Sequence, residues 1–142
     1  MSWLLLALQL MLSGVLLLAA TGKAWQPEAF AAALLEVYGY SGDLTRYDFS
    51  GRTDPQITHM VLRDAGFAAD AIDAELPRLW EHYLARLARN ATPERVRVLP
   101  GVRELVARLA MHDAVVLALL TGNIEPGARL KLGAPALNDY FP

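Results

Sequence analysis

The chain contains no cysteine. That excludes disulfides, thiol nucleophiles and cysteine-bound metals, while leaving the compartment open. Histidine is scarce as well: His59, His82 and His112 are scattered without metal-ligand spacing, and no metal ligand is predicted. Net charge is only −2 at pH 7, and no basic stripe is interleaved with aromatics. Nothing therefore points to nucleic acid as a partner. No repeat and no low-complexity linker divides the 142 residues, a length that suits one domain, or one plus a small insertion. Charge is missing altogether from Met1 to Gly22, and the first charged residue is Lys23.

Apolar residues, by contrast, are plentiful at 54%, and the excess is concentrated at the start. Trp3 to Ala20 is nearly all Leu, Ala, Met and Val, interrupted by Gln9, Ser13 and Gly14. Two readings are open. The helix-favouring composition over 18 residues suits a minimal bilayer span or a secretory apolar region, giving a membrane-anchored or secreted protein. A buried strand near Leu4–Leu10 with a turn at Ser13-Gly14 gives instead a cytoplasmic one.

The most informative stretch is Val115-Val116-Leu117-Ala118-Leu119-Leu120-Thr121-Gly122-Asn123. A short apolar run with a β-branched start ends on a hydroxyl, then Gly-Asn, then a helix start at Ile124-Glu125-Pro126. The run is too short for a globular helix and reads as a strand buried on both faces, as in a parallel sheet. A hydroxyl at the carboxyl end of such a strand, facing a helix N-terminus, lies where open α/β sheets bind ligands. The free N–H groups and positive dipole end of that helix favour an anion, often phosphate. Thr121 and Asn123 serve equally well as cap and turn residues, and the local pattern leaves both readings open.

Elsewhere the pattern is helical. Phe30, Ala33, Leu34, Val37 and Tyr38 share one face over residues 26–38, ended by Gly39 and Ser41-Gly42-Asp43. Thr53 and Gln56 have capping-box spacing, with Asp54-Pro55 suited to a first turn. Asp48 and Asp54 accordingly read as turn and cap residues. That helix is expected to place Ile57, Met60 and Val61 inward and to stop at Gly66. A third helix over residues 70–89 repeats Ile72, Leu76, Leu79, Tyr83 and Leu87, and Pro77 should kink or restart it. Val96–Leu99 is a short extended piece. Val102–Ala110 is an amphipathic helix with Val102, Leu105, Val106 and Leu109 inward.

Leu120-Thr121-Gly122-Asn123, followed by Gly127-Ala128-Arg129-Leu130-Lys131-Leu132 and Asn138-Asp139-Tyr140-Phe141, resembles the second motif region of the haloacid dehalogenase superfamily. The nearest match is its phosphoglycolate-phosphatase-like members. Pro100-Gly101-Val102 and the helix after it fit the same pattern. Phe49-Ser50-Gly51-Arg52-Thr53-Asp54-Pro55 is similar to the cap segment of those phosphatases. The resemblance implies an α/β fold: an incomplete Rossmann-like parallel core from residues 1–23 and 96–142, with an inserted helical cap over residues 24–95. It further implies Mg²⁺-dependent hydrolysis of a small phosphate monoester through an aspartyl-phosphate. Thr121 would hold a phosphoryl oxygen beside the Gly122 and Asn123 N–H groups. Arg52, in the cap loop, would grip the rest of the substrate, the other reading of it being an exposed loop arginine.

The chain departs from that family at the nucleophile. A gapless reading sets Met11-Leu12-Ser13-Gly14-Val15 on the family's Asp-x-Asp-Gly-Thr signature, so Met11 and Ser13 stand at the nucleophile and acid positions. A thioether neither accepts a phosphoryl group nor binds a hard cation. Serine has no pKa near neutrality for proton transfer. Without a carboxylate Mg²⁺ loses its main charged ligand, and charge neutralisation drives most of phosphoryl transfer. The expectation is a phosphatase-like chain without turnover, either a pseudoenzyme or an incomplete chain. The alternatives are a non-catalytic phosphate-binding module and a membrane-anchored or secreted helical protein. The family's downstream basic residue and acidic metal site have no counterpart before Pro142. Lys131 lies close to Thr121 and reads as a solvated or dipole-compensating helix residue. Only two core strands are found, so a central first strand would keep an unpaired apolar edge open to self-association.

Overall fold

The computed structural model describes residues 27–141. Five helices occupy most of them: α1 (Pro27–Tyr38), α2 (Asp54–Asp64), α3 (Ala69–Asn90), α4 (Val102–Ala110) and α5 (Glu125–Gly133). Two 3₁₀ turns, Leu44–Arg46 and Asn138–Tyr140, complete the regular structure. The start of α2 follows from the Thr53 capping box. The Thr53 hydroxyl accepts the Gln56 N–H at 3.4 Å, and the Gln56 side chain accepts the Thr53 N–H at 2.9 Å. Its end follows from Gly66 at φ +91°, a left-handed position that glycine adopts without steric cost. There the Phe67 N–H bonds the Leu62 carbonyl and the Gly66 N–H bonds that of Arg63, the paired bonds of a Schellman stop.

Helix α3 is the spine and packs on α1, α2 and α5. Its buried stripe of Ile72, Leu79, Tyr83 and Leu87 meets Ala29, Phe30, Ala33 and Leu34 of α1 and Ile57, Val61 and Leu62 of α2. The Phe30 and Tyr83 rings meet edge to face, 5.8 Å apart. Outside this core, Glu36 of α1 takes His82 at 2.9 Å and Arg86 at 2.5 Å, both from α3. The break expected at Pro77 does not occur: α3 runs through it. The carbonyl deprived of its donor belongs to Asp73, which is exposed, so solvent can serve it, while the stripe on either side packs into one core.

A second, smaller cluster unites Val102 and Val106 of α4 with Leu117 and Phe141. Helix α5 lies between the two, with Leu130 packed on the first cluster and Leu132 on the second.

The expected α/β fold with a partial Rossmann-like parallel core is corrected here. Among the described residues there is no strand, and the architecture is all-helical. Val96–Leu99 and Val115–Leu120, the two stretches read as extended or strand, are irregular chain. The physical reason is that a strand exists only through a partner's backbone, and an apolar run carries no record of whether that partner is supplied. Nor is the run buried on both faces: Leu117 is buried, but Val116 is 86% and Leu120 76% exposed. The other expected strand, Leu4–Leu10, lies outside the described residues. No helix among the described residues is long and apolar enough to cross a membrane. Residues 3–20, on which that reading rests, lie outside the described part.

Candidate functional site

The turn between Leu120 and α5 is fastened to the start of α2 by one residue. Asp54, the first residue of α2, donates its N–H to the Gly122 carbonyl at 2.7 Å. Its carboxylate accepts the Ile124 N–H at 2.8 Å. Both N–H groups belong to helix starts, where no intrahelical carbonyl is available, so each helix supplies what the other lacks. Gly122 sits hard against this junction: a Cβ there would stand 2.5 Å from the Arg52 carbonyl oxygen. Asp54 is only 5% exposed, and burial pushes its carboxyl above its ordinary value, with the Ile124 N–H and the Lys131 charge pulling it back.

Within the turn, Thr121 Oγ1 accepts two bonds, from the Asn123 N–H at 3.2 Å and from the Asn123 side-chain Nδ2 at 2.6 Å. Both hydroxyl lone pairs are then occupied, so the hydroxyl proton alone is left to offer. Asn123 Oδ1 accepts a hydrogen bond from the Lys131 ammonium. Lysine can only donate, which fixes the orientation of the Asn123 amide. Lys131 is 8% exposed and forms no ion pair among the described residues. Burial holds its ammonium below the ordinary lysine range, with Asp54 partly offsetting. Lys131 reaches Asn123 because helical side chains lean towards the N-terminus, so a residue well inside α5 returns to the turn before it.

Thr121, Asn123 and Lys131 line one cavity of about 140 Å³. Among the described residues Arg97 is the only other polar side chain in its wall, which is otherwise apolar and drawn from residues 96–106, 119–120 and 128–141.

The structure thus brings Thr121, Gly122 and Asn123 together with Lys131 and Asp54. It does not bring the Arg52 side chain to the cavity. Arg52 is exposed, its guanidinium bonded to the Asp48 carbonyl at 3.2 Å, and only its backbone meets Gly122. The Asn123 N–H, expected to face a phosphoryl oxygen, is taken by Thr121. Asp48 is a turn residue as expected, accepting the Ser50 N–H at 2.9 Å. Lys131 stands in the last turn of α5 but is not solvated, its ammonium being bonded to Asn123, and this is the main correction within the site. Asp54 opens a helix as expected, but its bond to Ile124 had no local signature. Met11 and Ser13 lie outside the described residues.

Among the described residues no group of three or more His, Asp or Glu side chains could hold a metal ion. Asp54, the nearby carboxylate, gives Oδ2 to the Ile124 N–H and does not line the cavity. The donor set is hydroxyl, amide and ammonium, which suits an anion and not Mg²⁺. The chain matches no protein-family model and no curated protein.

Proposed function

We propose that the chain binds a small phosphate monoester at Thr121, Asn123 and Lys131 and does not hydrolyse it. The observation that carries this reading is the buried Lys131 ammonium, held by a neutral amide at the edge of a cavity it shares with the Thr121 hydroxyl. With Asn123 Oδ1 taking one ammonium proton, two remain, and the Thr121 hydroxyl adds a third donor. Apart from the second lone pair of Asn123 Oδ1 these groups offer donors, the complement of a phosphate's oxygens. The motif resemblance to the haloacid dehalogenase-like phosphatases supports phosphate over other anions. Met11 and Ser13, at the positions of that family's two aspartates, support binding without turnover.

The test is thermal unfolding of the full chain with inorganic phosphate and with p-nitrophenyl phosphate, alongside release of nitrophenol with and without Mg²⁺. A ligand that binds only the native state raises Tm as its concentration rises. The expected result is a rise in Tm that is lost in Thr121→Val and Lys131→Gln, with no release above buffer. No rise would overturn the binding reading. Sustained release would overturn the claim that turnover is absent.

A further inference from the structure

The wall of the cavity says what the rest of the ligand is made of, if the phosphate reading above holds. Val98, Leu99, Val106, Leu119, Leu132 and Phe141 surround it, and the polar side chains are confined to Arg97, Thr121, Asn123 and Lys131. A hydroxylated ligand, such as a sugar or glycerol phosphate, would press its hydroxyls against groups that cannot bond them, at the cost of leaving them unpaired. A hydrocarbon tail loses nothing there and gains by leaving water. The cavity reaches the surface at Leu99 and Leu120, which are 45% and 76% exposed, so a chain longer than the cavity has a way out.

We propose that the ligand is an alkyl phosphate, its head on the Lys131 ammonium and the Thr121 hydroxyl and its tail along this apolar wall. The head supplies orientation and the tail supplies most of the selectivity. Recognition of this kind depends on tail length and is insensitive to the identity of the atoms beyond it.

The experiment is calorimetric titration of the full chain with inorganic phosphate, methyl, butyl and hexyl phosphate, and glycerol 3-phosphate. Kd should fall by about fourfold for each added methylene until the cavity is filled. Glycerol 3-phosphate should bind more weakly than butyl phosphate. Lys131→Gln should weaken every member by a common factor. Leu120→Asn, at the exposed position where the cavity reaches the surface, should flatten the dependence on tail length. Binding of phosphate with no dependence on length would overturn the alkyl proposal and leave the phosphate reading standing. Failure of every member, inorganic phosphate included, would overturn the phosphate reading itself. A dependence on length that Lys131→Gln leaves unaltered in magnitude and offset would overturn the placement of the head.

Discussion

The Ile124 N–H donates to Asp54 Oδ2 at 2.8 Å across 70 residues of chain. With the return bond from the Asp54 N–H to the Gly122 carbonyl, it makes one residue the fastening between α2 and the turn that carries Thr121 and Asn123. The turn is therefore positioned from outside its own segment.

Removing the carboxylate tests that fastening. Asp54→Ala leaves the Ile124 N–H without its partner in a half-buried place, and should cost about 1–3 kcal/mol in urea unfolding. Asp54→Asn keeps an acceptor and should cost less. The pH profile separates the two roles. The native carboxyl titrates above its ordinary value of 3.8, so between that value and the native one the folded state holds more protons than the unfolded. Stability must fall as pH rises through that window. Asp54→Asn should abolish the fall, and a profile identical to wild type would show that Asp54 is not its source.

Gly122→Ala probes the same junction from the other side. The new Cβ would meet the Arg52 carbonyl oxygen at 2.5 Å and the Arg52 carbonyl carbon at 3.3 Å, both backbone atoms that cannot swing away. A loss of about 1–3 kcal/mol is expected, as for other overpacked sites. Faster hydrogen exchange at the Asp54 and Ile124 amides should accompany it. An unchanged Tm would mean that the two segments separate freely.

Lys131→Met removes the ammonium and keeps the length of the side chain. Loss of a charge-assisted hydrogen bond should weaken phosphate binding about tenfold to hundredfold. The native ammonium titrates below its ordinary value of 10.5, so between the native value and 10.5 the unfolded chain holds more protons. Lys131 should therefore contribute a rise in stability with pH across that window, read as the difference between the wild-type and Lys131→Met profiles. Lys23 is the only other lysine, but Tyr38, Tyr47 and Tyr83 titrate above their ordinary 10.0 and lower stability as pH rises beyond it, so the Lys131 contribution is isolated by subtracting the variant's profile.

Tyr83→Phe is expected to help. The Tyr83 side chain is 1% exposed, and among the described residues its hydroxyl has no hydrogen-bond partner. The ring edge that meets Phe30 is kept in the variant. Relief of the unpaired hydroxyl should raise stability by about 1 kcal/mol, read from the urea midpoint. A loss of that size would reveal a partner for the hydroxyl.

What could be read from the sequence and what could not divide along the range of the forces involved. The start and stop of α2 were legible because Thr53, Gln56 and Gly66 act within one helical turn of themselves. The stripe on α3 was legible because Ile72, Leu79, Tyr83 and Leu87 recur at helical spacing. Pro77 misled because its local cost is real but is overridden when both flanking turns are packed. Val115–Leu120 misled more deeply, since a run of apolar side chains records hydrophobicity, whereas a strand is a hydrogen-bonded relation to another segment. Thr121 and Asn123 were found as a polar turn before a helix. Lys131 reads as solvated from the sequence because nothing in its own neighbourhood records the backward lean that carries its ammonium to Asn123. The Asp54–Ile124 bond could not be read at all, because nothing in either neighbourhood mentions the other.

Helix α5 spans only nine residues, Glu125–Gly133, yet Leu130 belongs to one core and Leu132 to the other. It is a rivet through two plates. A loosening of either plate reaches the Asn123–Lys131 contact through little more than one turn of helix. That contact therefore serves as a gauge of how firmly the two halves of the molecule are joined.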